Sequence, residues 1–417
     1  MKKYFKIIVI LVLILFVGCD TSKSEHANVK NGIDVLIEND CDILKNKRVG
    51  IVANHTSVTK SGKHLVDVIF ENKDVEIVAI FAPEHGFRGE AEAGKHVANN
   101  IDSKTKAPIY SIYGKHRKPS MEMLKNVGVL IFDIQDIGSR FYTYISTMGN
   151  IMEAGGENKI PVIILDRPNP IGGIVEGNML DEKYSSFVGK FKIPIRHGLT
   201  VGELANMIKN EKWINKADDL DLKIIKVKNW KHSIFFPQTD LNWIDPSPNM
   251  RNFNEAILYP GMCLFEATNF SEGRGTEHPF ECVGAPFIDS KKVIKKLNKL
   301  KLKGVKFEPI RFIPKDMPGY SVNPKFENEV VNGISIEVTN PSEFESVKLG
   351  VYLIITLRDM YPKDFLINRP NWMNKLWGDD SFMEMYKKNK TADEIINSYK
   401  SELKQFIDLR SGYLFYE

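Results

Sequence analysis

The sequence predicts an α/β fold, a parallel sheet with helices on both faces, followed by a smaller α+β unit. Apolar runs rich in β-branched residues, such as Val75 to Phe81 (VEIVAIF) and Ile160 to Leu165 (IPVIIL), read as strands buried on both faces. Helical patterns separate these runs, and strand–helix alternation implies parallel neighbours joined by right-handed crossovers. Polar clusters sit at the carboxyl ends of the strands, which parallel order brings to a single rim. The 417 residues exceed one typical core, so two domains are expected.

From Gly32 a helical pattern (GIDVLIENDCDILKN) leads into the first strand, Lys47 to Ala53, which runs out into Asn54, His55 and Thr56. An amphipathic helix around Leu65 to Phe70 precedes the strand Val75 to Phe81. After that strand comes APEHGFRGEAEAG, where Glu84, His85 and Arg88 sit among Pro83, Gly86 and Gly89: an acid, a titratable base and a fixed cation on a loop. Pro108 to Ile112 is a short third strand. Val127 to Phe132 is a fourth, running into Asp133, Gln135, Asp136, Gly138, Ser139 and Arg140, with a helix over Phe141 to Ala154. The fifth strand, Ile160 to Leu165, ends in Asp166-Arg167-Pro168-Asn169-Pro170. Four sequence-distant clusters (NHT, PEHG, DIQDIGSR and DRPNP) thus occupy strand ends, where open α/β sheets bind ligands.

Ile193 to Leu199 (IPIRHGL) and the capping box Thr200 to Glu203 lead into a helix over Leu204 to Asn210. Trp230 to Asn254, with several Pro, Trp and Asn residues, reads as a long functional loop or a domain crossing. The boundary is placed near Asn254, giving domains over 32–254 and 255–417. The second unit opens with Tyr259-Pro260-Gly261 and crowds Glu266, Asn269, Glu272, Arg274, Glu277 and His278 around Gly273 and Gly275. Strands are expected near Val305 to Ile313 and Val330 to Val338, and a helix over Val347 to Met360. A second capping box at Thr391 starts a helix to about Leu409, and the tail SGYLFYE is a candidate last strand.

Ahead of the fold, Lys2, Lys3 and Lys6 precede Ile7 to Val17, a run suited to a secretory h-region and short for a bilayer span. Phe16-Val17-Gly18-Cys19 resembles a bacterial lipobox, with Phe16 where leucine is usual. Cleavage there, over 1–19, leaves Cys19 as a lipidated N-terminus, holding the protein outside the cytoplasm and on the membrane. An ordinary signal peptide or an uncleaved anchor is the alternative. Residues 20–31 are polar and read as a tether. Loss of three lysines takes the balance from 57 basic against 53 acidic residues to 54 against 53, so nothing electrostatic favours nucleic acid. Beyond Cys19, Cys263 and Cys282 are the nearest pair for a disulfide; free buried thiols are equally compatible.

No GxGxxG follows the first strand, and GxxxxGK[ST], GxSxG and HExxH are absent, so dinucleotide, P-loop, serine-hydrolase and zincin chemistry have no fingerprint. No cofactor is expected. Glu84-His85 with Glu277-His278 could be considered for a metal, but adjacent side chains diverge on most backbones, so no metal is assigned. What abounds is carboxylate beside arginine: Glu84, Asp136, Asp166, Glu266, Glu272 and Glu277, with Arg88, Arg140, Arg167, Arg196 and Arg274. Glycosidic hydrolysis needs one carboxyl to protonate the leaving oxygen and another as base or nucleophile. Tyr142, Tyr144, Trp243 and Phe270 offer apolar faces for sugar rings. Arginine forks suit an anionic substituent.

The series KRVGIVANHT, PEHGFRG, QDIGSRFYTY, DRPNPIGG, PIRHGLTVGELA, PSPN, YPGMCLFEATN, GRGT and GAPF resembles the NamZ family of exo-β-N-acetylmuramidases, glycoside hydrolase family 171, over nearly the whole mature chain. The resemblance implies a Rossmann-like N-terminal domain, a smaller C-terminal domain and an active site between them. It also implies release of N-acetylmuramic acid from the non-reducing ends of peptidoglycan fragments. It makes Glu84 the catalytic acid. The resemblance does not name the second group; Asp136 or Glu266 is our candidate as base, nucleophile or orienter, with the substrate's own acetamido group as the alternative internal nucleophile. Substrate contacts are expected from Asn54, His55, His85, Arg88, Arg140, Tyr142, Asp166, Arg167, Arg196, Asn269 and Arg274. A lipoprotein that binds muropeptides without cutting them, and a hydrolase of cell-wall esters or amides, are the competing readings.

Overall fold

The computed structural model describes residues 27–84, 86–87, 100–114 and 116–417. Cys19, the leader, most of the tether, His85 and Arg88 lie outside the described residues. The first part of the chain contains strands β1 (Lys47–Ala53), β2 (Val75–Ala82), β3 (Asn100–Ile101), β4 (Pro108–Ser111), β5 (Val129–Asp133), β6 (Val162–Leu165), β7 (Glu176–Met179), β8 (Pro194–Arg196) and β9 (Leu222–Ile225). Seven of them form one sheet in the order β3-β4-β2-β1-β5-β6-β9, parallel throughout except for the β3 edge, while β7 and β8 pair as a separate antiparallel ribbon. The expected parallel strands are all present. The short β3, β9 and the ribbon were not expected, because two to four residues carry too little periodicity to register.

Alternate residues divide the sheet between two cores, as a doubly covered sheet requires. Val52, Phe81, Leu130 and Phe132 face α4 (Tyr144–Asn158) and α5 (Val201–Asn210). Ile51, Ile80, Ile131 and Ile163 face α1 (Gly32–Glu38) and α2 (Leu65–Glu71); a short α3 (Met121–Leu124) lies between β4 and β5. The Thr200 capping box forms as expected, Thr200 Oγ1 accepting from Glu203 N and Glu203 Oε2 from Thr200 N.

The second part contains α6 (Phe253–Met262), β10 (Cys282–Ala285), α7 (Ser290–Asn298), β11 (Val305–Phe312), β12 (Val331–Val338), α8 (Ser346–Met360), α9 (Pro370–Trp377), α10 (Ser381–Lys387), α11 (Ala392–Ser398) and α12 (Lys400–Ser411). Its three strands pair antiparallel in the order β10-β12-β11. The first core continues into this part through Ile257, Phe265, Val283, Ile336 and Leu353. Asn254 falls in the first turn of α6.

Three expectations are corrected. Tyr259-Pro260-Gly261 does not open the second part but lies inside α6, where Gly261 meets α8 so closely that a Cβ would stand 2.0 Å from Ser346 O. The helix expected from Thr391 to Leu409 breaks at Tyr399, which packs on Trp377 at 5.7 Å and lets Ile395 and Phe406 both reach the core. The tail adds no strand: side chains hold it instead, Tyr416 Oη donating to Asp166 Oδ2 (2.5 Å) and Phe415 N to Glu203 Oε1 (2.7 Å). Cys41, Cys263 and Cys282 are free buried thiols.

Candidate active site

Strand β2 delivers Glu84 to the rim two residues after its end, and Pro83 prevents the ladder from continuing past it. Ile112 N donates to Ala82 O (2.9 Å), which keeps β4 in step and brings Tyr113 alongside. Tyr113 Oη donates to Glu84 Oε1 and Thr143 Oγ1 to Glu84 Oε2, each at 2.8 Å. Thr143 is the N-cap residue of α4, so the ends of the adjacent strands β2 and β4 and the start of a helix converge on one carboxyl group. Burial and the charge of Glu84 push the Tyr113 hydroxyl up, which keeps it a donor at neutral pH. Hydroxyls donate or accept, so this pair can hold either a carboxylate or a carboxylic acid.

Glu84 lines a cavity of about 420 Å³ between the sheet rim and the second part of the chain. Glu266 lies in its opposite wall, on the 3-10 turn Cys263–Ala267 that continues α6. Its Oε1 accepts from Arg274 Nη2 (2.8 Å) and its Oε2 from Trp372 Nε1 (3.2 Å). Both partners can only donate, a setting that suits a carboxylate and, unlike that of Glu84, offers no acceptor for an acidic proton. Arg274 also approaches Glu272 Oε1 (3.7 Å) and lies over the Phe280 ring at 5.0 Å. Edge-to-face rings link the two walls: Tyr144 with Tyr142 (5.2 Å), Tyr142 with Tyr259 (5.9 Å) and Tyr259 with Phe280 (4.8 Å). Burial raises the Tyr142 and Tyr259 hydroxyls and the Cys263 thiol, so these groups stay protonated.

Of the residues expected at the site, Glu84, Glu266, Tyr142, Tyr144 and Arg274 line the cavity. Asp136 does not: its Oδ2 accepts from Gly138 N (2.7 Å) and lies 3.9 Å from His197 Nε2, buried behind the rim. Arg140 is enclosed and donates to four carbonyls, of Asn178, Ile193, Leu376 and Trp377, at 2.6–2.9 Å. Arg196 pairs with Glu176 (2.6 Å) and donates to Ile171 O. Asp166 accepts from Thr200 Oγ1, Gly202 N and Tyr416 Oη. Asn269 bridges Asp364 O and Leu366 N. His55 Nε2 meets Asp245 O at 2.6 Å. Glu277 pairs with Arg251 and His278 with Glu281, away from Glu84. Phe270 is core, packed on Phe365, and Trp243 packs on Phe236; neither lines the cavity. No group of three or more metal-ligating side chains occurs among the described residues.

The strand-end clusters do converge, but three of the four interlock rather than face a ligand. Arg167 forks onto Asp133 (2.6 and 3.0 Å) and donates to Val58 O. Asn54 Oδ1 accepts from Thr56, Thr56 Oγ1 from Gln135 N, and Gln135 Nε2 donates to Pro168 O. Gly138, at φ +81°, lies so close to Asn169 that a Cβ would meet its side chain at 2.4 Å. These residues bond to one another at the crevice between β1 and β5, where the strand order reverses and a doubly wound sheet would seat a dinucleotide, and leave a small cavity of about 50 Å³ beside Thr56, Gln135 and Arg167. The cavity is displaced towards the β2 and β4 ends.

The sequence reading missed Tyr113, Thr143, Arg117, Trp372 and Lys375, all in the cavity wall. Tyr113 directly follows the third expected strand, so the strand-end rule applied there would have found it. Thr143 was assigned to the helix, whose expected start at Phe141 lies three residues ahead of its first residue, Tyr144. Trp372 and Lys375 lie on α9, more than 280 residues from Glu84 in sequence, and no local pattern marks them.

Two family models match most of the chain: the N-terminal domain of exo-β-N-acetylmuramidase NamZ over residues 49–254, and the C-terminal domain of the same family over 257–416. The chain is 45% identical over 399 residues to the peptidoglycan β-N-acetylmuramidase NamZ of Bacillus subtilis (strain 168), covering 95% of this chain and 94% of that one. Among solved structures, it is similar to a DUF1343 family protein from Bacteroides fragilis NCTC 9343 determined at 1.65 Å, with TM-score 0.87, 34% identity and coverage of 94% of this chain and 100% of the other. A second such protein from that strain, at 1.30 Å, matches with TM-score 0.74, 37% identity and coverage of 93% and 99%. Two matched domain models in the right order and a relative aligned nearly end to end lead to one assignment: the chain belongs to the NamZ family of exo-β-N-acetylmuramidases.

Proposed function

We propose that this protein is a glycosidase that removes N-acetylmuramic acid from the non-reducing end of peptidoglycan fragments, with Glu84 as general acid and Glu266 as the second carboxylate. The observation that carries the reading is the contrast between the two carboxyls of one cavity. Glu84 is held by two hydroxyls that tolerate a proton on it, whereas Glu266 is held by a guanidinium and an indole that do not. In the forward step the Glu84 proton passes to the glycosidic oxygen as the C–O bond breaks, and the carboxylate left behind keeps its two hydroxyl donors. Glu266 stays ionised opposite the positive charge growing at the anomeric carbon, and water entering where the leaving group departed returns a proton to Glu84 as it adds. The aromatic chain through Tyr142 and Tyr259 supplies the apolar face for the sugar ring. A cavity walled on the sheet side suits a chain end rather than the middle of a glycan.

A protein that only held the sugar would have no need of two carboxyls in such different settings, which favours cleavage over capture. The same reading takes in the N-terminus. A secretory leader ending at Cys19 would anchor the enzyme outside the cytoplasm, where its polymer lies; no helix among the described residues is long and apolar enough to cross a membrane.

The test is Glu84→Gln assayed on a chromogenic N-acetylmuramide. Turnover should fall by about 10³-fold or more while the thermal transition stays in place. A folded variant that keeps more than about a tenth of wild-type kcat would remove Glu84 from the acid role.

A further inference from the structure

Three cationic side chains line the cavity among the described residues: Arg274, Arg117 and Lys375. Arg274 is engaged by Glu266 and Glu272. Arg117 and Lys375 have no carboxylate partner among the described residues. They reach the cavity from opposite parts of the chain, Arg117 from the loop after β4 and Lys375 from α9, one turn beyond Trp372.

Arg117 is nonetheless held in place. Its guanidinium lies over the Phe187 ring at 4.4 Å, and its backbone carbonyl accepts from Asn150 Nδ2 (2.8 Å). Phe187 in turn contacts Tyr113 at 6.0 Å, and Tyr113 donates to Glu84. The cation is therefore tied, through two rings, to the carboxyl proposed as the acid. Stacking fixes the guanidinium plane while leaving its N–H edge free to donate, which is how arginine presents itself to a planar anion. Lys375 adds a point charge on a flexible stem.

Resting on the muramidase reading, we propose that Arg117 and Lys375 are the specificity determinants of this site. Together they bind the carboxylate of an acidic substituent on the terminal sugar, and they distinguish an N-acetylhexosamine that carries such a group from one that does not. Arg274, which the sequence offered for this task, serves instead to hold Glu266.

The experiment compares 4-nitrophenyl β-glycosides of N-acetylmuramic acid and of N-acetylglucosamine on the full protein, for wild type, Arg117→Gln, Arg117→Lys, Lys375→Gln and the Arg117/Lys375 double Gln variant. Each Gln variant should raise KM for the muramide about 10-fold with a much smaller change in kcat. The double variant should lower the muramide-to-glucosaminide ratio of kcat/KM by about 100-fold, and Arg117→Lys should recover part of the loss. A folded double variant whose ratio stays within about twofold of wild type overturns the assignment of these cations while leaving the muramidase reading intact. A wild-type enzyme that hydrolyses the glucosaminide as well as the muramide overturns the muramidase reading itself, and the proposal with it.

Discussion

Tyr113 donates its hydroxyl to Glu84 across 2.8 Å, joining the residues that follow two adjacent parallel strands. Thr143 completes the arrangement from the N-cap of α4. A side chain held on both oxygens by groups from two adjacent strand ends and a helix start is positioned by the secondary structure around it. Such pre-organisation is what a proton-transfer group requires.

Tyr113→Phe and Thr143→Val each remove one of these bonds without leaving a buried charge unpaired. Each should lower kcat about 10-fold, with KM little changed and the fold retained. Steady-state kinetics on a chromogenic muramide checks this; full activity in the double variant would show that Glu84 does not depend on them.

Glu266→Gln keeps the shape of the opposite wall and removes its charge, while Arg274 retains Glu272 nearby. We expect a loss of about 100-fold or more in kcat. Trp372→Phe, which deletes only the indole donor at 3.2 Å, should cost less than about 10-fold. Equal effects of the two substitutions on kcat would argue that Glu266 is placed for structure alone.

Arg196 and Glu176 form an ion pair that is almost wholly buried. Arg196→Met leaves Glu176 charged and enclosed, with Val347 N as its remaining donor. Denaturant titration should register a loss of about 3–5 kcal/mol, with activity per folded molecule preserved. A stable variant with impaired KM would instead return Arg196 to the substrate.

Glu255, at the start of α6, is fully buried. Its Oε1 has no hydrogen-bond partner among the described residues, and burial pushes its carboxyl up to about 7. A folded-state value above the unfolded one means that the native protein holds the proton longer. The associated stability is complete below about pH 4.5 and is lost as pH rises through about 7. Glu255→Gln is neutral throughout, so its stability relative to wild type should rise between pH 5 and pH 8 by about 1–3 kcal/mol. Parallel stability–pH curves for the two proteins would rule this out.

Much of the molecule was legible in the order of its residues. Unbroken β-branched runs announce strands buried on both faces, and the intervening helical patterns force them parallel, so the rim and the presence of Glu84 on it followed. The Thr200 and Thr391 caps were equally readable, because a capping box is a local hydrogen-bond pattern with a fixed spacing.

What local pattern does not contain is the partner of a charge. Arg140, Arg167 and Arg196 look the same in sequence as Arg117. Three are enclosed by carbonyls and carboxylates, and the fourth lies over a phenyl ring at the cavity wall. Asp136 and Glu266 look equally acidic, and only folding buries one behind the rim and turns the other into the cavity. Periodicity and turn chemistry act over a few residues and fix the elements. Whether a polar side chain meets another part of the protein or is left for a ligand depends on contacts hundreds of residues apart, and those exist only once the two parts of the chain have packed together.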